Sequence, residues 1–146
     1  MSTREEIAVA LFSKIEAPLR DAGAVLVSRR LLHWNDVAVV DMPAAFLAQG
    51  NQQPTPSPAG SPTTWRMNFN IYIYVNETDP AQSPSTKLNA LLDVVESSLA
   101  PSRVGLKQQL GGTVEHCWIS GTVETDEGVL GNLAMAVVPV EVLYVT

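Results

Sequence analysis

The sequence predicts an α+β fold, a two-layer sandwich in which one mixed or antiparallel sheet of about four to six strands carries two helices on one face. Two helical stripes and one long alternating segment make the case. Apolar side chains recur at three- and four-residue spacing over residues 7–19 and again over 88–99. Between these stretches, Trp65, Met67, Phe69, Ile71, Ile73 and Val75 fall on one parity, and Arg66, Asn68, Asn70, Tyr72 and Tyr74 on the other. Successive side chains of a strand point to opposite faces, so one face of this segment is wholly apolar and has to be covered. At roughly 3.3 Å per residue it spans about 36 Å, nearly twice an ordinary strand, which makes it the central strand.

The first helix, about residues 3–20, opens on a hydroxyl with an acid three residues on, as Ser2 with Glu5 or Thr3 with Glu6, the pattern of a capping box. Its stripe is Ile7, Leu11, Phe12, Ile15 and Leu19, and Pro18 and Gly23 end it. Val25 to Arg30 is short, two-sided and β-branched, a first strand. Val37–Val40 and Ala44–Leu47 read as shorter strands broken at Asp41 and Pro43. Residues 50–64 hold Pro54, Pro56, Pro58 and Pro62 among small polar residues. Such a stretch lacks both ladder donors and the apolar surface to offset its ordering, so it is expected to be a mobile loop joining two strands. An interdomain linker fits less well, because the 49 residues before it are too few for a core of their own.

The second helix, about residues 85–99, has Ser85 or Thr86 as cap, Leu88, Leu91, Leu92, Val95 and Leu99 as stripe, and Pro101 as stop. Gly111-Gly112 turns the chain into a strand over Thr113–Ser120. Thr125-Asp126-Glu127-Gly128 is expected to reverse it, and the closing run Leu133–Val145 is again strand, with Pro139 marking a bulge or an edge.

At 146 residues the chain is expected to form a single domain, 1–146, with one core. Nine basic residues against fifteen acidic give a net charge of −6, a poor basis for holding phosphate backbones. The single Cys117 excludes an internal disulfide and fits a reducing compartment. No signal-type apolar run opens the chain, and none approaches the roughly 20 residues of a membrane span.

Catalytic chemistry finds little support. His116 and Cys117 are neighbours on a strand and point to opposite faces, and the only other histidine is His33. Asp93 and Glu96 lie beside the apolar stripe of their helix and read as a solvated pair. No serine sits in a nucleophile elbow and no glycine run matches a phosphate loop. The expectation is a protein that is not an enzyme and takes no cofactor or metal, working through surfaces. Candidate contact residues are Arg29 and Arg30, which diverge as solvated or inter-subunit ion partners, Trp34, and the Tyr72/Tyr74 pair on the polar parity of the long strand. Asp126 and Glu127 in the Glu124–Gly131 turn complete the set.

Ser28 to Asp36, Asp41-Met42-Pro43-Ala44, the Trp65 strand, Leu88 to Asp93, Leu110 to Gly121 and Val138-Pro139-Val140, taken in that order and spacing, resemble the small tail-terminator or tail-completion proteins of long-tailed bacteriophages, the minor tail protein U-like group. The resemblance covers about Arg4 to Val145, and its motifs are structural rather than chemical. It implies a virion structural subunit, assembled in the host bacterial cytoplasm, that forms a homo-oligomeric, hexameric ring on the tail. That ring stops polymerisation of the major tail tube protein and presents the head-tail joining surface to a head-completion or neck protein. DNA would pass through without being specifically bound, and an acidic channel would repel it. Residues 50–64 and the Glu124–Gly131 turn are the expected docking elements. The competing readings are another neck or tube subunit and, from a different class, a small-molecule-binding α+β domain.

Overall fold

The alternating segment does lie in the middle of the sheet, where its dry face can be covered along its whole length. A computed structural model describes residues 3–103 and 105–146. In chain order it contains helix α1 (Thr3–Asp21), strand β1 (Leu26–Ser28), two 3-10 turns (Trp34–Asp36 and Val39–Asp41), β2 (Ala44–Thr55) and β3 (Thr64–Asn76). Helix α2 (Pro84–Leu99), a third 3-10 turn (Leu110–Gly112), β4 (His116–Ile119), β5 (Glu124–Leu130) and β6 (Leu133–Val145) follow. The sheet is mixed and six-stranded, in the order β1-β2-β3-β6, with β4 and β5 sharing the far side of β6. Among the described residues only the β1–β2 pair is parallel.

Both helices cover one face of this sheet, as the two stripes require. Ile7, Leu11, Ile15 and Leu19 of α1 and Leu88, Leu91, Val95 and Leu99 of α2 pack on Met67, Phe69, Ile71, Ile73 and Val75 of β3. Alternate residues of β6 from Ala134 to Tyr144 complete this core. Thr3 opens α1; Ser2, the other candidate cap, lies outside the described residues.

Four local expectations need correction. Val37–Val40 is not a strand: the amides of Asp41 and Met42 return to the carbonyls of Ala38 and Val39, closing a 3-10 turn. The edge of β2 that such a strand would need is already taken by β1 at Ala44–Phe46. The second difference is that β2 runs on to Thr55, pairing Pro54 with Trp65 and Thr55 with Thr64, so only 56–63 remains as connection. Beyond Phe46, β2 is an edge strand on its outer side, where a proline with no N–H to donate is tolerated. Third, Thr125–Gly128 is extended strand; the reversal comes at Gly131-Asn132, between the paired Leu130 and Leu133, with Gly131 at φ +74°. Gly128, at φ +84°, lies instead in a bulge between Glu127 and Leu130. Fourth, the strand expected over Thr113–Ser120 is confined to His116–Ile119.

Pro139 shapes the far edge. The Ser120 amide donates to its carbonyl at 2.9 Å, so the Pro139 backbone faces the side of β4 and β5, where it has no N–H to offer. The partner strand is broken there, β4 ending at Ile119 and β5 starting at Glu124.

Candidate docking surface

The sheet face turned away from the helices is only partly covered. On it lie Arg66, Asn68, Asn70, Tyr72 and Tyr74 of β3, and Leu133, Met135, Val137, Pro139, Glu141 and Leu143 of β6. At one end the 3-10 turns fold over the sheet and build a second, smaller core from Val37, Met42, Ala44, Phe46 and Tyr74. Toward the other end, Arg66 meets Glu141 at 2.8 Å, pairing a carboxylate that the strands bury.

Between these regions the face is open. Met135 and Val137 floor a depression of about 480 Å³ flanked by Glu124, Thr125 and Asp126 of β5. A second depression, about 450 Å³, lies between Trp34, Val39, Met42 and Leu133. Leu133 and Met135 are two residues apart on the same face of β6, so the trough at Met135 and Val137 and the second depression are neighbours along that strand. On the covering turns, Val39 and Val40 are 58% and 81% exposed.

The candidate contact residues are not gathered in one place. Trp34, Tyr72 and Asp126 do share the open face: Trp34 and Tyr72 pack half-buried on the small core, and Asp126 flanks the trough. Tyr74, expected on a contact surface, is 4% exposed. Its hydroxyl donates to the Leu32 carbonyl at 2.8 Å and its ring is tilted against Phe46, 5.6 Å between centroids. Burial, with Tyr72 adding to it, pushes the Tyr74 hydroxyl above its ordinary pKa. Arg29 is held inside the chain, donating two hydrogen bonds to Glu5 of α1 at 2.6 and 2.9 Å. The pairing raises Arg29 and lowers the Glu5 carboxyl. Arg30 beside it is exposed. Glu127 falls on the opposite parity to Asp126 and accepts from the Ser83 hydroxyl at the start of α2, a bond that lowers its pKa.

Sequence reasoning missed Val39, Val40, Met135 and Val137, whereas Glu124 fell within an expected docking element. The two valines carried a readable signal, since adjacent apolar residues hemmed in by Asp36, Asp41 and Pro43 cannot both be buried in a short turn. The chemistry-bearing pair stays apart: Cys117 is buried with its thiol pushed up to about 12 by desolvation, while His116 points the other way. The His116 Nδ1 accepts from the Gln108 amide at 3.2 Å and the ring stacks on Trp118 at 4.7 Å. Among the described residues no cluster of three or more His, Cys, Asp or Glu side chains could hold a metal ion, and no helix is long and apolar enough to cross a membrane.

No family model matches the chain, and no curated protein does. Its fold, however, is shared with a chain in a solved structure described as the virion of a native gene transfer agent particle. The superposition has a TM-score of 0.58 at 8% sequence identity and covers 94% of this chain and 93% of that one.

Proposed function

We propose that this chain acts as a single-domain structural subunit of a phage-like virion, closing into a ring of six on the end of a tail tube. The ring covers the growing surface of the tube protein, halts its addition and presents its other side to a head-completion protein. The observation that carries this reading is the shared fold: a virion-particle chain follows nearly the full length of this one. The order of motifs from Ser28 to Val140, which resembles tail terminators, points the same way. A closed ring of identical subunits needs two different patches per subunit that meet head to tail. The apolar trough on the open face and the exposed Val39-Val40 turn suit such work, since exposed contiguous apolar surface marks contact sites.

Native mass across a concentration series, with negative-stain images of the same fractions, tests the reading. Closed six-fold rings that bind tube ends without growing are the expected result. Open filaments would instead make the chain a tube subunit, and a strict monomer that ignores tube ends would remove the terminator role.

A further inference from the structure

The chain sorts its charges unevenly. Arg20, Arg29, Arg66 and Lys87 engage carboxylates of their own chain, and Arg4 lies over the Trp65 ring at 4.8 Å. Among the described residues, Lys14, Arg30, Arg103 and Lys107 enter no ion pair, although the chain has fifteen acids to offer, and all of these but Arg30 belong to one region. Lys14 and Lys107 line one depression in the helix layer, and Arg103 stands on the same connection between α2 and β4. Beside Lys107, Leu106 is 52% exposed. Glu124 and Asp126, on the far face of the sheet, likewise meet no Lys or Arg among the described residues, and the floor between them and β6 is apolar.

We propose that the trough at Glu124, Asp126, Met135 and Val137 binds Arg103, Leu106 and Lys107 of a second copy of this chain, and that this is the repeating contact of the ring. The inference rests on the ring reading above. Leu106 lies on the Met135/Val137 floor while Arg103 and Lys107 meet the two carboxylates, the apolar centre and charged rim of an ordinary protein contact. The two patches sit on opposite layers of the sandwich and cannot meet within one subunit. Such a contact is heterologous, the kind that closes rings. Acids on an exposed strand edge also guard against stray strand pairing. That role explains Glu124 and Asp126 but leaves Leu106 and its unpaired cations without a reason.

The test is a charge exchange read by native mass and ring counts, with circular dichroism and melting to verify folding. Glu124→Lys/Asp126→Lys and Arg103→Glu/Lys107→Glu each place like charges together, and each is expected to raise the concentration for half-assembly on the order of a hundredfold. Mixing the two variants in equal amounts restores opposite charges at every contact of an even-numbered ring, and the four-fold variant restores them within one chain. Both are expected to form rings again. Rings in either separate variant at wild-type concentrations would overturn this contact while leaving the ring reading intact. Loss in both without recovery in the mixture or the four-fold variant would overturn the pairing. A wild-type chain that never forms rings would remove the contact and the ring reading together.

Discussion

On the helix side of the sheet, β3 and β6 present unbroken apolar rows to two regular stripes; on the other side the same strands present amides, an ion pair, a small core and an open trough. Regular helices bury a regular row completely, so that face of the strands is closed to a partner, and the cations and Leu106 on the helix side stand on the connection after α2 instead. The other side is covered by two 3-10 turns that reach only as far as Tyr74 and Phe46, and what they leave uncovered is where binding surface survives. Stability and recognition are thus divided between the two faces of the same strands.

The sharpest test of that division is Ile71→Ala, at a fully buried position of the helix side. It should cost about 2–5 kcal/mol in urea unfolding, by lost burial and a cavity. Tyr74→Phe probes the smaller core. It removes the donor to the Leu32 carbonyl and should cost about 0.5–1.5 kcal/mol. A loss as large as that of Ile71→Ala would make the covering turns an equal partner in the core.

The residue that follows β1 has a pH-dependent tie to α1. Glu5 titrates below its ordinary value of 4.5 because of the hydrogen bond from Arg29. A carboxyl lowered by folding contributes stability above its unfolded pKa, and that contribution disappears as pH falls through the lowered folded value. The urea midpoint should therefore decline from about pH 5 downward, and Glu5→Gln should flatten that decline without abolishing it. Glu77 and Glu127, also lowered by hydrogen bonds, act in the same direction. A midpoint in Glu5→Gln with the same acid dependence as wild type would show that the Arg29 pair does not couple to folding.

The smallest effects are expected at Asn70→Ala and Tyr144→Phe. Asn70 lies on the open face, and its loss should stay within about 0.5 kcal/mol. The Tyr144 hydroxyl is buried with no partner among the described residues, so deleting it should be neutral or slightly stabilising. A loss of more than about 1 kcal/mol at Tyr144→Phe would mean that the hydroxyl is satisfied after all.

The same division governs what could be read from the residues alone. The helix face was legible because its two periods, 3.6 and 2, run uninterrupted through Ile7–Leu19, Leu88–Leu99 and Met67–Val75. The open face was not. Alternation showed that Tyr72 and Tyr74 share a side, but their burial depends on a distant segment, with Leu32 42 residues before Tyr74, folding across them. Val37–Val40 has strand composition, and only the prior pairing of β1 with β2 denies it an edge. Pro54 hid the extension of β2 in the same way, because a proline is excluded from a central strand and allowed at an edge, and the sequence does not say which side is occupied. Asp126 was found as a turn residue and turned out to be a strand residue flanking the trough; the trough floor, Met135 and Val137, looked like ordinary members of a buried strand.

The break opposite Pro139 has a dynamic consequence. Because β4 and β5 are separate pieces joined to β6 on either side of a missing donor, the far margin of the sheet does not open as one unit. The β5 arm, paired with β6 over Glu124–Leu130, tied to the start of α2 through Glu127 and unpaired along its outer edge, can detach while β4 stays clamped by the Gln108 carbonyl at the Cys117 amide. Hydrogen exchange should then resolve two foldons along one margin, with the β5 amides exchanging ahead of those of β4. An arm that opens on its own can adjust to a neighbour without loosening the helix-side core.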